Sequence, residues 1–163
     1  MSVTRRQILA ITLAAGAAGA TSVRAQAAGV DRLELLLTFE QRLESAYGAA
    51  LEQAVIDPAL GRGLLAQERE HVRGVELALE TLGRRGPVGT APPPGPAALG
   101  SRRAFASFAL ELETETVATY VEVLTTLDAP GLLQPLGSIM ASGAQHGVAL
   151  RRVLGDPPLS QVR

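Results

Sequence analysis

Apolar positions recur every three to four residues in four stretches of the chain, and each stretch reads as one helix. The first spans about residues 30–55, with Leu33, Leu37, Glu40, Glu44, Tyr47, Leu51 and Ala54 along one seam. Asp57 followed by Pro58 then supplies an N-cap and a proline at the first helical position. The second helix runs from there to about Leu82, its seam formed by Leu64, Glu68, His71, Val75, Ala78 and Leu82, and Gly83 stops it. Ser101 caps a third that reaches about Leu127, with Phe105, Phe108 or Ala109, Leu112, Tyr120, Leu124 and Leu127 inward. The fourth covers about Leu132 to Leu154, its seam Leu132, Leu136, Ile139, Gly143, His146, Leu150 and Val153. Pro135 falls within its first turn or delays its start.

Connection lengths set the topology. The first-to-second and third-to-fourth links are short, so each pair is expected to form an antiparallel hairpin. Residues 84–100 are rich in Pro and Gly and cannot be regular helix. Extended, that stretch covers roughly 50 Å at ~3.1 Å per residue. A helix of ~24 residues is only about 36 Å long. The chain can therefore return along the whole bundle, which predicts an all-α four-helix bundle with one long crossover between the second and third helices.

Ahead of the bundle, an apolar run from Ile8 to Ala20 follows Arg5-Arg6 and leads to Ala25-Gln26-Ala27. A charged start, a short apolar stretch and a small-x-small exit describe a secretory signal. The run is short for a membrane span, which needs ~20 residues. Arg5-Arg6 resembles a twin-arginine export signal, with Ile8 where Phe is usual and Ala10 where Lys is usual. Ordinary secretion and an uncleaved anchor are the alternatives. The expected organisation is a signal peptide over 1–27, the bundle over 28–155 and a tail over 156–163. That places the protein in the periplasm or cell envelope, touching the membrane only through its signal.

Composition narrows the chemistry. Aromatic residues make up 3% of the 163 residues, too few to fill strand faces. There is no Cys, so any metal would be held by carboxylate and imidazole, which suits iron, manganese or zinc. Three of the 15 basic residues, all Arg, lie in residues 1–27, leaving 12 against 16 acids, a net charge of −4. With no basic patch, binding to DNA or other nucleic acid has no support. A homo-oligomer is compatible with the pattern, but no sequence feature demands one.

Polar residues on apolar seams carry the functional information, because burying a carboxylate unpaired costs several kcal/mol. Glu68 and His71 stand three apart on the second seam, so both side chains project toward one point. Glu40 and Tyr47 are seven apart on the first helix, and Glu113 and Tyr120 repeat that spacing on the third. His146 lies on the fourth seam. Glu44 is the alternative to Glu40 as the inward carboxylate, and His146 read alone is also a core histidine. Glu70, Glu111, Glu115 and Glu122 fall off the seams and read as solvated.

Phe39-Glu40…Tyr47, Glu68-Arg69-Glu70-His71-Val72, Leu112-Glu113…Val117…Tyr120 and His146…Leu150-Arg151 together resemble the ferritin-like superfamily. The likeness is closest to exported bacterial ferritin-like domain proteins. It implies a two-metal carboxylate–histidine site with Glu40 and Glu113 as terminal carboxylates, Glu68 as a bridge, and His71 and His146 as nitrogen ligands. Tyr47 and Tyr120 would bond the ligand carboxylates. One position departs: the family pattern places a bridging Glu three residues before the second His, where this chain has Gly143. Neighbouring Ser142 and Gln145 are neutral and fall elsewhere on the helical wheel. The resemblance implies an iron-, manganese- or zinc-binding, oxidoreductase-like protein. The alternative is a non-enzymatic envelope or stress-related helical domain whose site has decayed.

Overall fold

The computed structural model describes residues 5–84 and 91–157, with side chains from residue 26 onward. Four helices follow in order: α1 (Arg5–Glu52), α2 (Pro58–Thr81), α3 (Arg102–Thr126) and α4 (Pro130–Leu154). Most of the predicted export signal, and the tail beyond residue 157, lie outside the described side chains. Among the described residues no helix is long and apolar enough to cross a membrane.

Local chemistry sets the helix ends. Asp57 Oδ1 accepts from the amides of Ala59 and Leu60, each at 3.0 Å, so two otherwise orphaned donors at the start of α2 are satisfied. Ser101 Oγ does the same for the amide of Ala104 at 3.1 Å at the start of α3. Past α2 and α4, Gly83 (φ 76°) and Gly155 (φ 79°) take the left-handed conformation that closes a helix.

Several boundaries differ from the periodicity. The first helix ends at Glu52, and Ala54, expected on the seam, is exposed with φ 54°. Apolar spacing simply ran on into the turn. Nor does α1 begin near residue 30: the helix runs on through Gly29 and Asp31 from Arg5. In α3, Val123 rather than Leu124 is fully buried, a shift of one position on the wheel. Pro135 does not delay α4, which starts at Pro130 and carries Pro135 inside it, on an exposed face.

Helix α1 packs on α2 and α3, and α4 packs on the same two, so α1 and α4 are diagonal. Pairings give the directions. Tyr47 meets Glu113 while Tyr120 meets Glu40, so α1 and α3 are antiparallel. Along α2 and α4, Gln67 meets His146 while Gly74 faces Ile139, again antiparallel. This is the arrangement that one long crossover produces.

Two apolar layers fill the bundle. One gathers Leu43, Leu64, Phe105, Leu112 and Leu150, with Leu99 of the crossover docked into it. The other gathers Leu33, Leu37, Val75, Val123 and Leu136. Between these layers sit the buried charges.

Candidate metal centre

Each helix contributes polar side chains to this middle level. Glu40 comes from α1, Glu68 and His71 from α2, Glu113 from α3 and His146 from α4, and all five are buried. The three-residue step in α2 turns Glu68 and His71 to the same side, and the antiparallel pairing of α1 with α3 sets Glu113 opposite Tyr47 and Glu40 opposite Tyr120. The alternative inward carboxylate, Glu44, instead accepts from Arg69 Nε at 3.2 Å on the exposed side.

Glu68 lies at the centre. Its Oε2 is 3.5 Å from His71 Nδ1, which is also 3.5 Å from Glu40 Oε2. The other oxygen, Oε1, is 2.8 Å from His146 Nδ1, which in turn is 3.1 Å from Glu113 Oε1. The cluster thus has two halves that share one carboxylate: Glu40–His71 on one side and Glu113–His146 on the other. The two imidazole rings stack with centroids 5.4 Å apart. Donor atoms of Glu68, His71 and His146 all lie within 4.8 Å of one another, close enough to share an ion.

The tyrosines are exchanged between the halves. Tyr47 donates to Glu113 Oε1 at 2.9 Å, and Tyr120 donates to Glu40 Oε1 at 2.6 Å. Each therefore fixes the carboxylate carried by the other hairpin, leaving the second oxygen of Glu40 directed at His71. Burial, then the neighbouring carboxylates, push both phenols well above their ordinary value, so they remain donors.

The ferritin-like domain family matches residues 28–156. The chain belongs to this family. Its fold is also that of a conserved hypothetical protein from Mycobacterium tuberculosis, known from a crystal structure. The two are 20% identical with a TM-score of 0.71, over 85% of this chain and 99% of the other. No curated protein matches the sequence.

In ferritin-like di-metal bundles two helices each give a Glu, and the other two each give Glu-x-x-His. This ferritin-like chain has every one of those residue types in place except at Gly143, which is buried on α4. A Cβ built there would lie 3.4 Å from Glu113 Oε2 and 3.5 Å from Val117 Cγ2. Position 143 therefore faces the cluster, and the carboxylate it lacks is missing from the site itself.

Two neighbours were not legible as site residues. Gln67 Oε1 lies 3.0 Å from His146 Nε2 and accepts from Ser142 Oγ at 2.9 Å. Ser142 thus lies against the cluster, contrary to its expected place on the wheel. Its position one turn before His146 was the available signal. Gln145 is exposed, as expected.

Electrostatics divide the acids. Burial drives Glu40 up to about 7, with His71 offsetting part of the effect. Burial also raises Glu113, against the pull of His146. Burial would raise Glu68 too, but His146 and His71 on either side bring it down to about 2. Burial alone would lower the imidazoles. The facing carboxylates outweigh it, and hold His71 at about 10 and His146 at about 9.

Both Glu68 oxygens and Glu40 Oε2 are buried without a hydrogen-bond partner, although His146 Nδ1 is near Glu68 Oε1. Orphaned buried carboxylate oxygens are costly. A hard or borderline cation satisfies them directly, so the residues present fit a metal ion.

Proposed function

We propose that this ferritin-like protein binds iron, manganese or zinc in the core of its bundle, through Glu40, Glu68, His71, Glu113 and His146. The oxygens of Glu68 and Glu40 carry the reading, because they are buried without a hydrogen-bond partner and only imidazoles face them, so a cation would satisfy them. All-oxygen-and-imidazole donors favour these metals over soft ones.

Bound iron or manganese would supply one-electron redox chemistry, the basis for an oxidoreductase-like role. The chain's own contribution is positional. Tyr120 and Tyr47 hold Glu40 and Glu113 in place, the apolar layers above and below exclude water, and the imidazoles hold or release protons as an ion leaves or arrives.

The test is metal content and thermal stability after reconstitution of the metal-free protein. Binding raises the melting temperature, and Glu68→Ala or His71→Ala abolishes that rise. Protein that takes up no iron, manganese or zinc and melts unchanged refutes the reading. It would favour the second one, a decayed site in a structural domain, for which the absent carboxylate at Gly143 is the specific observation.

We also propose export through a twin-arginine route, supported by Arg5-Arg6 and the apolar run to Ala20. A reporter fused after residue 27 should leave the cytoplasm, and changing both arginines to Lys should retain it. Export that ignores this change counts against the route.

A further inference from the structure

Resting on the metal-binding reading, we infer that the two halves of the cluster are unequal: the chain holds one ion, at Glu40, Glu68 and His71, while His146 stays hydrogen-bonded to protein. The observation is a difference in how the two imidazoles are engaged. His146 has an oxygen at each ring nitrogen, Glu113 Oε1 at 3.1 Å from Nδ1 and Gln67 Oε1 at 3.0 Å from Nε2. Its Nδ1 meets Glu113 with the distance and direction of a hydrogen bond. An ion on that nitrogen, at a bond length of ~2.1 Å, would stand almost on the Glu113 oxygen.

His71 is engaged differently. Its Nδ1 is 3.5 Å from both Glu40 Oε2 and Glu68 Oε2, beyond hydrogen-bond length, and neither oxygen has another partner. Donors that bind one tetrahedral ion at ~2.1 Å stand about 3.4 Å apart. The two spacings at His71 are those of ligands on one ion, whereas His146 must first give up its hydrogen bond to Glu113.

Gly143 explains why the second half is closed. A carboxylate at 143 would approach Glu113 Oε2, since even its Cβ lies 3.4 Å away. Without it, Glu113 keeps one oxygen beside the glycine and gives the other to Tyr47 and His146. Charge points the same way. One divalent ion among three carboxylates leaves −1, while two would leave +1 in a buried site, with no fourth carboxylate to neutralise it.

Zinc titration of the metal-free protein, followed by imidazole nitrogen NMR, tests this directly. The chain has only two histidines, so His71→Gln assigns both sets of signals. The expected result is saturation at one equivalent, with the Nδ1 signal of His71 moved to the metal-bound position and that of His146 left in place. Gly143→Glu should then take a second equivalent and move both. Movement of the His146 signal, alone or with that of His71, at one equivalent or at two, overturns the inference but leaves metal binding standing. No zinc uptake at all overturns both. If Gly143→Glu fails to fold, the spectra of the natural sequence still decide.

Discussion

Tyr47 and Tyr120 each lie on a helix seam seven residues after a glutamate, and that spacing says nothing about their partners. The partner of each is the glutamate of the other hairpin, because the antiparallel pairing of α1 and α3 crosses the two spacings. Tyr120→Phe removes the donor to Glu40 Oε1 and leaves a buried carboxylate with neither oxygen bonded. We predict a loss of about 1–3 kcal/mol in the metal-free protein, read from urea unfolding. A Phe variant as stable as the parent would make the hydroxyl incidental. The protons of the cluster predict a pH dependence. His71, at about 10, and His146, at about 9, sit above their ordinary 6.5, so their contribution to the metal-free fold is complete below pH 6.5 and vanishes as pH rises through 9 to 10. Glu40 at about 7 acts in the same direction, its contribution present below 4.5 and lost on rising through 7. Glu68 at about 2 acts oppositely, contributing above 4.5 and failing only as pH falls through 2. A metal must displace the proton of His71, so affinity should climb with pH until about 10. Isothermal titrations with manganese at several pH values check it, and affinity that is flat or falls with pH contradicts it.

At the scale of elements, capping and breaking residues placed most helix ends, and periodicity placed most buried positions. Asp57, Ser101, Gly83 and the proline-rich stretch are local signals, readable without knowing what packs against them. The misreadings arose where no local signal exists. Nothing marks Ala54 as the residue where α1 has already ended, and Val123 against Leu124 is a rotation set by neighbouring helices. Glycines within helices separate the same way. Gly63 in α2 is exposed, and an added Cβ there meets nothing within 4 Å. A Cβ at Gly61, two residues earlier, would stand 2.8 Å from both Ile56 Cγ2 and Leu51 Cδ2. Gly63→Ala should therefore stabilise the protein by about 0.5–1 kcal/mol, as helix propensity alone dictates. Gly61→Ala should gain less or lose, because the side chains of Ile56 and Leu51 must give way. Thermal melts of the two variants compare them. Equal gains would mean that Ile56 and Leu51 yield without cost to a Cβ at Gly61.

For the whole molecule, the fold was legible because its determinants are additive along the chain: four seams, two short links and one long one. The cluster was legible as five residues because four of them interrupt an apolar seam and Glu113 repeats, before Tyr120, the spacing of Glu40 to Tyr47. Its division into halves was not, since that depends on which oxygen of Glu68 faces which imidazole, and on Gln67 and Ser142 reaching His146 from two different helices. Gly143 could be noticed only against the family pattern, and its consequence for Glu113 needed the packing of α3 on α4. The central claim is that a cation belongs among these buried oxygens and nitrogens. Anomalous diffraction from crystals grown with manganese tests it most directly. The account predicts a peak inside the bundle at bonding distance from Glu68 and His71. A core with no peak, in crystals whose surface acids carry manganese, would contradict it.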